Sequence, residues 1–428
     1  MRNSFFCRML HGNNLFHPAL LFRKLATLLV IVFLLALTVG CGTPVKKSAN
    51  SSSTIPSPTL FMLSQGTLES YQADGKQNWQ IQAASMGSVN SENAHTHLIN
   101  SGTVLYTATD ILQATTLTGK VLWHQSLPAQ ADDLLLTKQN LYVLADGALS
   151  AWNSTQGKLL WQQQGLVLPF GPWAALVSDG QYLFLGGENL VVALDVLTGK
   201  IVWHQDISPG DGVEQFFIKH TILLAQTGTS IIAFQSSTGS ILWQRDSQIK
   251  SLYINQAGTI LYTFSIDVPD PISDPNTPIW SGLRAVNLAT GKQLWAVTRP
   301  DDIEGVSTIS SSGILYHDAT SITAWNLQGK QLWQNAYANA PIAQIDPIPQ
   351  AHIALIIEED GTLLALDDLN GKQQWQQTLL QGSSNQFAIQ QQQCWIISPE
   401  DGDINAYSFQ GKRQWSLKLN AFEDLNIQ

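Results

Sequence analysis

Cysteine is almost absent from this chain of 428 residues, which carries Cys7, Cys41 and Cys394 and no others. There is no vicinal Cys pair and no Cys-x-x-Cys-His, so a disulfide framework and a covalently attached haem are excluded. Charge is scarce too: 13% of residues are charged, and 22 Lys and Arg face 32 Asp and Glu, a net of −10. Such a surface repels nucleic-acid phosphates, and no basic patch with interleaved aromatics overrides it. Long apolar runs are missing. The run Leu25 to Val39 is fifteen residues, short for a membrane span. The chain also has no nucleophile elbow, no phosphate-binding Gly-rich loop and no His-x-x-x-His pair, which removes the common hydrolase, nucleotide and zinc signatures.

What the chain has in abundance is one phrase. A Gly followed four residues later by a Trp occurs nine times, ending at Trp79, Trp123, Trp161, Trp203, Trp243, Trp295, Trp333, Trp375 and Trp415, and eight copies read Gly-Lys-x-x-Trp. The spacings are 44, 38, 42, 40, 52, 38, 42 and 40. A period near 40 built from short strands is the spacing of β-propeller blades. The fourth copy shows the strands. Ala174 to Val177, Tyr182 to Leu185, Leu190 to Leu194 and Lys200 to Gln205 are short apolar runs separated by Gly, Asn and Asp, the pattern of an up-and-down antiparallel sheet. A small residue precedes each turn Gly by six positions (Ala151, Ala193, Ala233, Ala285, Ala365) or by five (Ser70, Ala114, Ala324, Ala406). The short class suits a tight hairpin and the long class a type I turn closed by a Gly bulge. The Ala opposite each Trp leaves room for the large ring to dock between blades.

Ala193-x-Asp195-x-x-Thr198-Gly199-x-x-x-Trp203 resembles the tryptophan-docking motif of the pyrroloquinoline-quinone-type propeller repeat at every signature position. Ala365 to Trp375 and Ala285 to Trp295 differ at one position each. The resemblance covers about residues 59 to 420. It implies an all-β chain forming a single propeller of four-stranded antiparallel blades, eight by the family's habit or nine by the count of repeats. The first repeat starts at Thr59 with its second strand. The tail Ala421 to Gln428, with Phe422, Leu425 and Ile427, is therefore expected to supply the missing inner strand and close the ring.

The N-terminus divides from this body. Arg23-Lys24 before Leu25 to Val39, then Gly40-Cys41, reads as a signal peptide over residues 1–40. Thr38-Val39-Gly40-Cys41 resembles the lipobox of bacterial lipoproteins, which implies lipidation of Cys41; Thr38 stands where Leu is usual, and Leu37 lies one place earlier. An uncleaved N-terminal anchor is the alternative, and Met9 is a second candidate start. Processing at Cys41 leaves 18 basic against 32 acidic residues, or −14. Residues 41–58, rich in Ser and Pro, read as a flexible tether, and 59–428 as the propeller.

Candidate chemistry is sparse. His95 and His97 share a strand face without a third ligand, His124 and His204 follow repeat Trp residues, and Cys394 lies alone in a strand. Glu358-Glu359-Asp360 and Glu400-Asp401-x-Asp403 read as solvated hairpin corners. The acidic, Pro-rich segment Asp267 to Pro278 accounts for the spacing of 52 and reads as a loop between the second and third strands of the sixth repeat. No catalytic, metal-binding or cofactor-binding residue is assigned. Quinone-dependent dehydrogenases share the repeat, but many of the alcohol enzymes add a vicinal Cys pair that is missing here. The chain looks most like the BamB-type outer-membrane assembly lipoproteins, which hold partners with rim loops. The expectation is a lipid-anchored, extracytoplasmic, non-catalytic protein-binding or assembly scaffold without nucleic-acid partners. A quinone-dependent dehydrogenase and an extracytoplasmic ligand-binding or sensory module are the alternatives.

Overall fold

The computed structural model describes residues 59–427 apart from several connecting segments, of which 85–96, 166–174 and 268–279 are the longest. Residues 1–58, with Cys41, the apolar run and the tether, lie outside the described residues, as does His95. Among the described residues there are nine four-stranded antiparallel sheets and one 3-10 turn at Pro349–Ala351. Eight of the sheets are consecutive in sequence, each ordered from a first strand at one edge, which we call inner, to the Trp-bearing fourth at the other, which we call outer. The remaining sheet, which we call the first, takes its outer three strands from Thr59–Ser64, Thr67–Gln72 and Gln77–Gln82. Its inner strand is Asp424–Ile427, from the other end of the chain, paired antiparallel through Leu60↔Ile427 and Leu63↔Asp424.

Burial follows strand order. In the fourth sheet Tyr182–Gly186 and Leu190–Asp195 are buried along nearly their whole length, whereas Ile201–Asp206 alternates between exposed and covered. Central strands are apolar on both faces because each sheet is packed on both sides; the outer strand has one face in solvent. The apolar side chains collect into nine clusters, each joining two neighbouring sheets. Phe184, Trp203, Phe216 and Phe234, for example, join the fourth sheet to the fifth. Leu60, Met62 and Tyr71 join Ile404 and Ala406, so the ninth cluster links the last sheet to the first.

The two turn classes differ otherwise than by a bulge. In the long class the Gly N–H reaches back four residues, as from Gly199 to the Asp195 carbonyl; in the short class it reaches three, as from Gly119 to Thr116. All nine hairpins shift register just after the small residue, at Ser70 and Ala114 as at Ala193. The bulge therefore belongs to both classes, because the outer strand must move to bring its Trp opposite Ala or Ser whatever the turn length.

Candidate interaction surfaces

Each repeat Trp pairs directly with the small residue expected opposite it, as Ala193 with Trp203 and Ser70 with Trp79. Its ring, however, is capped by the next sheet. The turn Gly of repeat n+1 lies against the Trp of repeat n, from Gly119 on Trp79 to Gly411 on Trp375, eight times in succession. These glycines have φ between +64° and +84°, and a Cβ at any of them would come under 3.0 Å of the surrounding side chains. Glycine is thus required twice over, for the left-handed turn and for the approach of the ring. Seven of the indole N–H groups donate to a carbonyl of the same turn at 2.7–3.1 Å, two residues before the Gly in the short turns (Trp79 to Leu117, Trp375 to Phe409) and three before it in the long ones, as Trp203 to Ser236. The turn that would cap Trp415, residues 73–75, lies outside the described residues.

The outer strands are less uniform than this scaffold. In sheets two to five the two residues before the Trp are exposed apolar pairs, Val121-Leu122, Leu159-Leu160, Ile201-Val202 and Ile241-Leu242. In the first, eighth and ninth sheets the same places hold Gln77-Asn78, Gln373-Gln374 and Arg413-Gln414. Between sheets two and three, an open cleft of about 420 Å³ is lined by Leu127, Pro128, Ser150, Trp152, Leu159 and Gln162, among others, and none of its lining side chains ionises.

The residues singled out from sequence are scattered. His97 is half-buried on an innermost strand, and His124 and His204 are exposed on outer strands. Cys394 is buried in the core between the eighth and ninth sheets, where burial pushes its thiol up to about 12. Asp403 is paired with Lys418 at 3.0 Å, while Glu400 and Asp401 lie outside the described residues. Glu358 corrects the reading of its corner as solvated. It ends the buried strand Ile353–Glu358 at 3% exposure, and burial, with Asp360 nearby, raises its pKa. Among the described residues no group of three or more His, Cys, Asp and Glu is placed to hold a metal, and no helix is long and apolar enough to cross a membrane.

One cluster escaped the sequence reading. Arg284, 4% exposed, grips Asp267 with both terminal nitrogens at 2.6 and 3.1 Å and lies over the Trp280 ring at 3.9 Å. Ser247 adds a hydrogen bond to Asp267 at 2.5 Å. Asp267 and Trp280 are cross-strand partners at the base of segment 268–279, so the ion pair and the stacked ring fasten the two ends of the insertion. An Arg in a strand otherwise made of small and apolar residues was the available signal.

An all-β chain of four-stranded units, each docked to the next by a tryptophan under a glycine turn, is a repeat protein whose scaffold and surface are separable. The family model described as outer membrane protein assembly factor BamB matches residues 64–171, 170–298 and 280–427, and the chain belongs to that family. It is similar to the outer membrane protein assembly factor BamB of Shewanella oneidensis, 22% identical over 215 residues, 47% of this chain and 52% of that one. It is also similar to a tetrathionate hydrolase of Acidithiobacillus ferrooxidans, 25% identical over 223 residues, 46% of this chain and 43% of that one. The chain thus spans about half the length of these relatives. Among solved structures, the crystal structure of the eukaryotic initiation factor superposes with a TM-score of 0.60 at 12% identity, covering 86% of this chain and 98% of that one, a likeness of fold alone.

Proposed function

We propose that this protein is a non-catalytic, extracytoplasmic scaffold for the assembly of outer-membrane proteins, tethered to the membrane by a lipid on Cys41. The single observation that carries this reading is the family match across 64–427. The fold reading that goes with it is a nine-bladed propeller, supported by nine repeats, nine sheets, nine inter-sheet cores and the pairing of Asp424–Ile427 with Thr59–Ser64. In it the uncharged cleft beside Trp152 suits a protein side chain better than a reaction, since its lining offers Ser126 and Ser150 no acid or base to activate them. In cells lacking the chain, the folded fraction of outer-membrane β-barrel proteins is expected to fall, and a Cys41→Ser chain should not restore it. An unchanged folded fraction removes the assembly role. Stoichiometric binding of pyrroloquinoline quinone with calcium by the purified chain would replace it with the dehydrogenase reading.

A further inference from the structure

We infer that the end of the protein carrying the Gly-Lys turns is a docking face for a bilayer surface with anionic headgroups, while the opposite end faces away from the membrane. The inference rests on the membrane-tethered reading above but concerns a surface of the described body. Its first support is a common orientation. Eight turn glycines, Gly119 to Gly411, each lie on the Trp just beyond the preceding sheet's own turn, so these turns sit side by side at one end of successive sheets. Eight of the nine carry Lys directly after the Gly, and all eight lysines are exposed. They are eight of the 18 basic residues that follow residue 40, in a segment of net charge −14.

Charge is divided between the ends. At the other end of the sheets, the second-to-third-strand turns carry the exposed acids Asp146, Glu359 and Asp360, the ends of the outer strands carry Asp206 and Asp246, and the start of a first strand carries Asp132; the exposed Lys250 and Lys418 lie there too, Lys418 paired with Asp403. Acids do occur at the lysine end. Asp195 and Asp367 accept hydrogen bonds from the backbone of their own turns, and Asp179 does the same in a neighbouring hairpin.

Apolar surface supplies the second support. The four exposed pairs of sheets two to five directly follow the lysine position, and Leu197, 76% exposed, sits in a turn among them. Aliphatic residues flanked by lysines, whose stems lie along apolar surface while their ammonium groups reach outward, are what an interfacial face needs. Connectivity supplies the third. Thr59 pairs with Gln72, the last residue before the first sheet's Gly-Lys turn, so the chain from Cys41 enters the body at the lysine end, beside sheet two. Residues 41–58 reach at most roughly 60 Å when fully extended, which keeps this end near the bilayer.

The test uses the full chain reconstituted in phosphatidylcholine vesicles, with or without phosphatidylglycerol and with brominated acyl chains. A fluorescent label is placed on Leu160→Cys at the apolar arc, or on Asp146→Cys at the other end of the same sheet; the unsubstituted chain corrects for labelling of Cys41. With anionic vesicles, fluorescence at 160 should fall by about half or more and that at 146 by less than about a tenth, because an interfacial face sits within the headgroup and acyl boundary. The loss should diminish without phosphatidylglycerol and in high salt. Exchanging the four pairs for Gln-Gln, which sheet eight already accommodates at Gln373-Gln374, should remove the quenching and leave the melting temperature in place. A chain that floats with the vesicles but is quenched equally at both sites, or at neither, overturns the docking face. Self-quenching that rises with protein concentration rather than with brominated lipid overturns it in favour of a second copy. Quenching at 160 on a chain without an acyl group at Cys41 keeps the face and removes the lipid anchor.

Discussion

Trp203→Ala isolates the joint between the fourth and fifth sheets. The ring is 8% exposed, sits 5.9 Å from Phe184 and 6.2 Å from Phe234, and donates to the Ser236 carbonyl at 2.8 Å. Truncating a buried aromatic to Ala costs about 3–5 kcal/mol. At about 2.1 cal/mol/K of unfolding entropy per residue over roughly 370 residues, a loss of ~4 kcal/mol lowers Tm by about 5 °C. The informative partner is Gly239→Ala. Its Cβ would lie 2.5 Å from a Trp203 ring carbon, and its φ of +72° is unfavourable for Ala. The conformational part costs about 1–2 kcal/mol and the overpacking about another 1–3. With Trp203 gone, the clash disappears and the conformational part remains. The double variant should therefore be about 1–3 kcal/mol more stable than the sum of the singles predicts, read from urea midpoints at constant m-value. Strict additivity would show that ring and turn do not bear on one another, and the docking account would be wrong.

Burial raises the Asp346 pKa to about 6 against 3.8 in a free chain, partly opposed by the Gln344 amide at 2.6 Å. A raised acid favours the folded state when protonated, so its contribution is complete below about 3.8 and is lost as pH rises through about 6. Asp346→Asn should accordingly match wild type near pH 4 and exceed it by up to about 3 kcal/mol above pH 7; equal pH–stability curves would refute this. Deleting residues 421–428 strips the inner strand from Thr59–Ser64 and exposes its edge, so Tm should fall and light scattering should reveal aggregation. A monodisperse truncated chain with an unchanged melt would mean that the pairing contributes nothing to the body.

The repeat could be counted in the sequence because its structural residues are tied to one another. A turn glycine cannot be replaced without straining its φ and striking an indole, and an indole cannot be replaced without emptying a joint, so both persist at fixed spacing. Their contact partner was less legible. Gly199 stands four residues before Trp203 but lies on Trp161, one repeat back, and identical copies give no sign of which neighbour each one meets. The bulge in the short turns was hidden for a related reason, since turn length says how the corner closes but not how far the outer strand slides to present its Trp. Glu358 was misplaced because a run of three acids before Gly361 resembles a solvated corner, whereas its first member still belongs to the buried strand.

Function lies in what the repeats do not share. A Trp, a Gly and a small residue recur in every sheet because each has a neighbour to meet, and they therefore distinguish no one sheet as a binding place. The two residues before each Trp have no such duty: both are exposed, and sheet eight shows that Gln is accommodated where sheet three carries Leu. A change from Gln-Gln to Leu-Leu at a position free of packing constraint costs solubility without strengthening the core, so the scaffold gives no reason for four consecutive sheets to make it. The same holds for the Arg284 clamp, which occurs where the sixth sheet alone carries an insertion of its length. Departures from the repeat, rather than the repeat itself, are the positions at which partners of this protein should be sought.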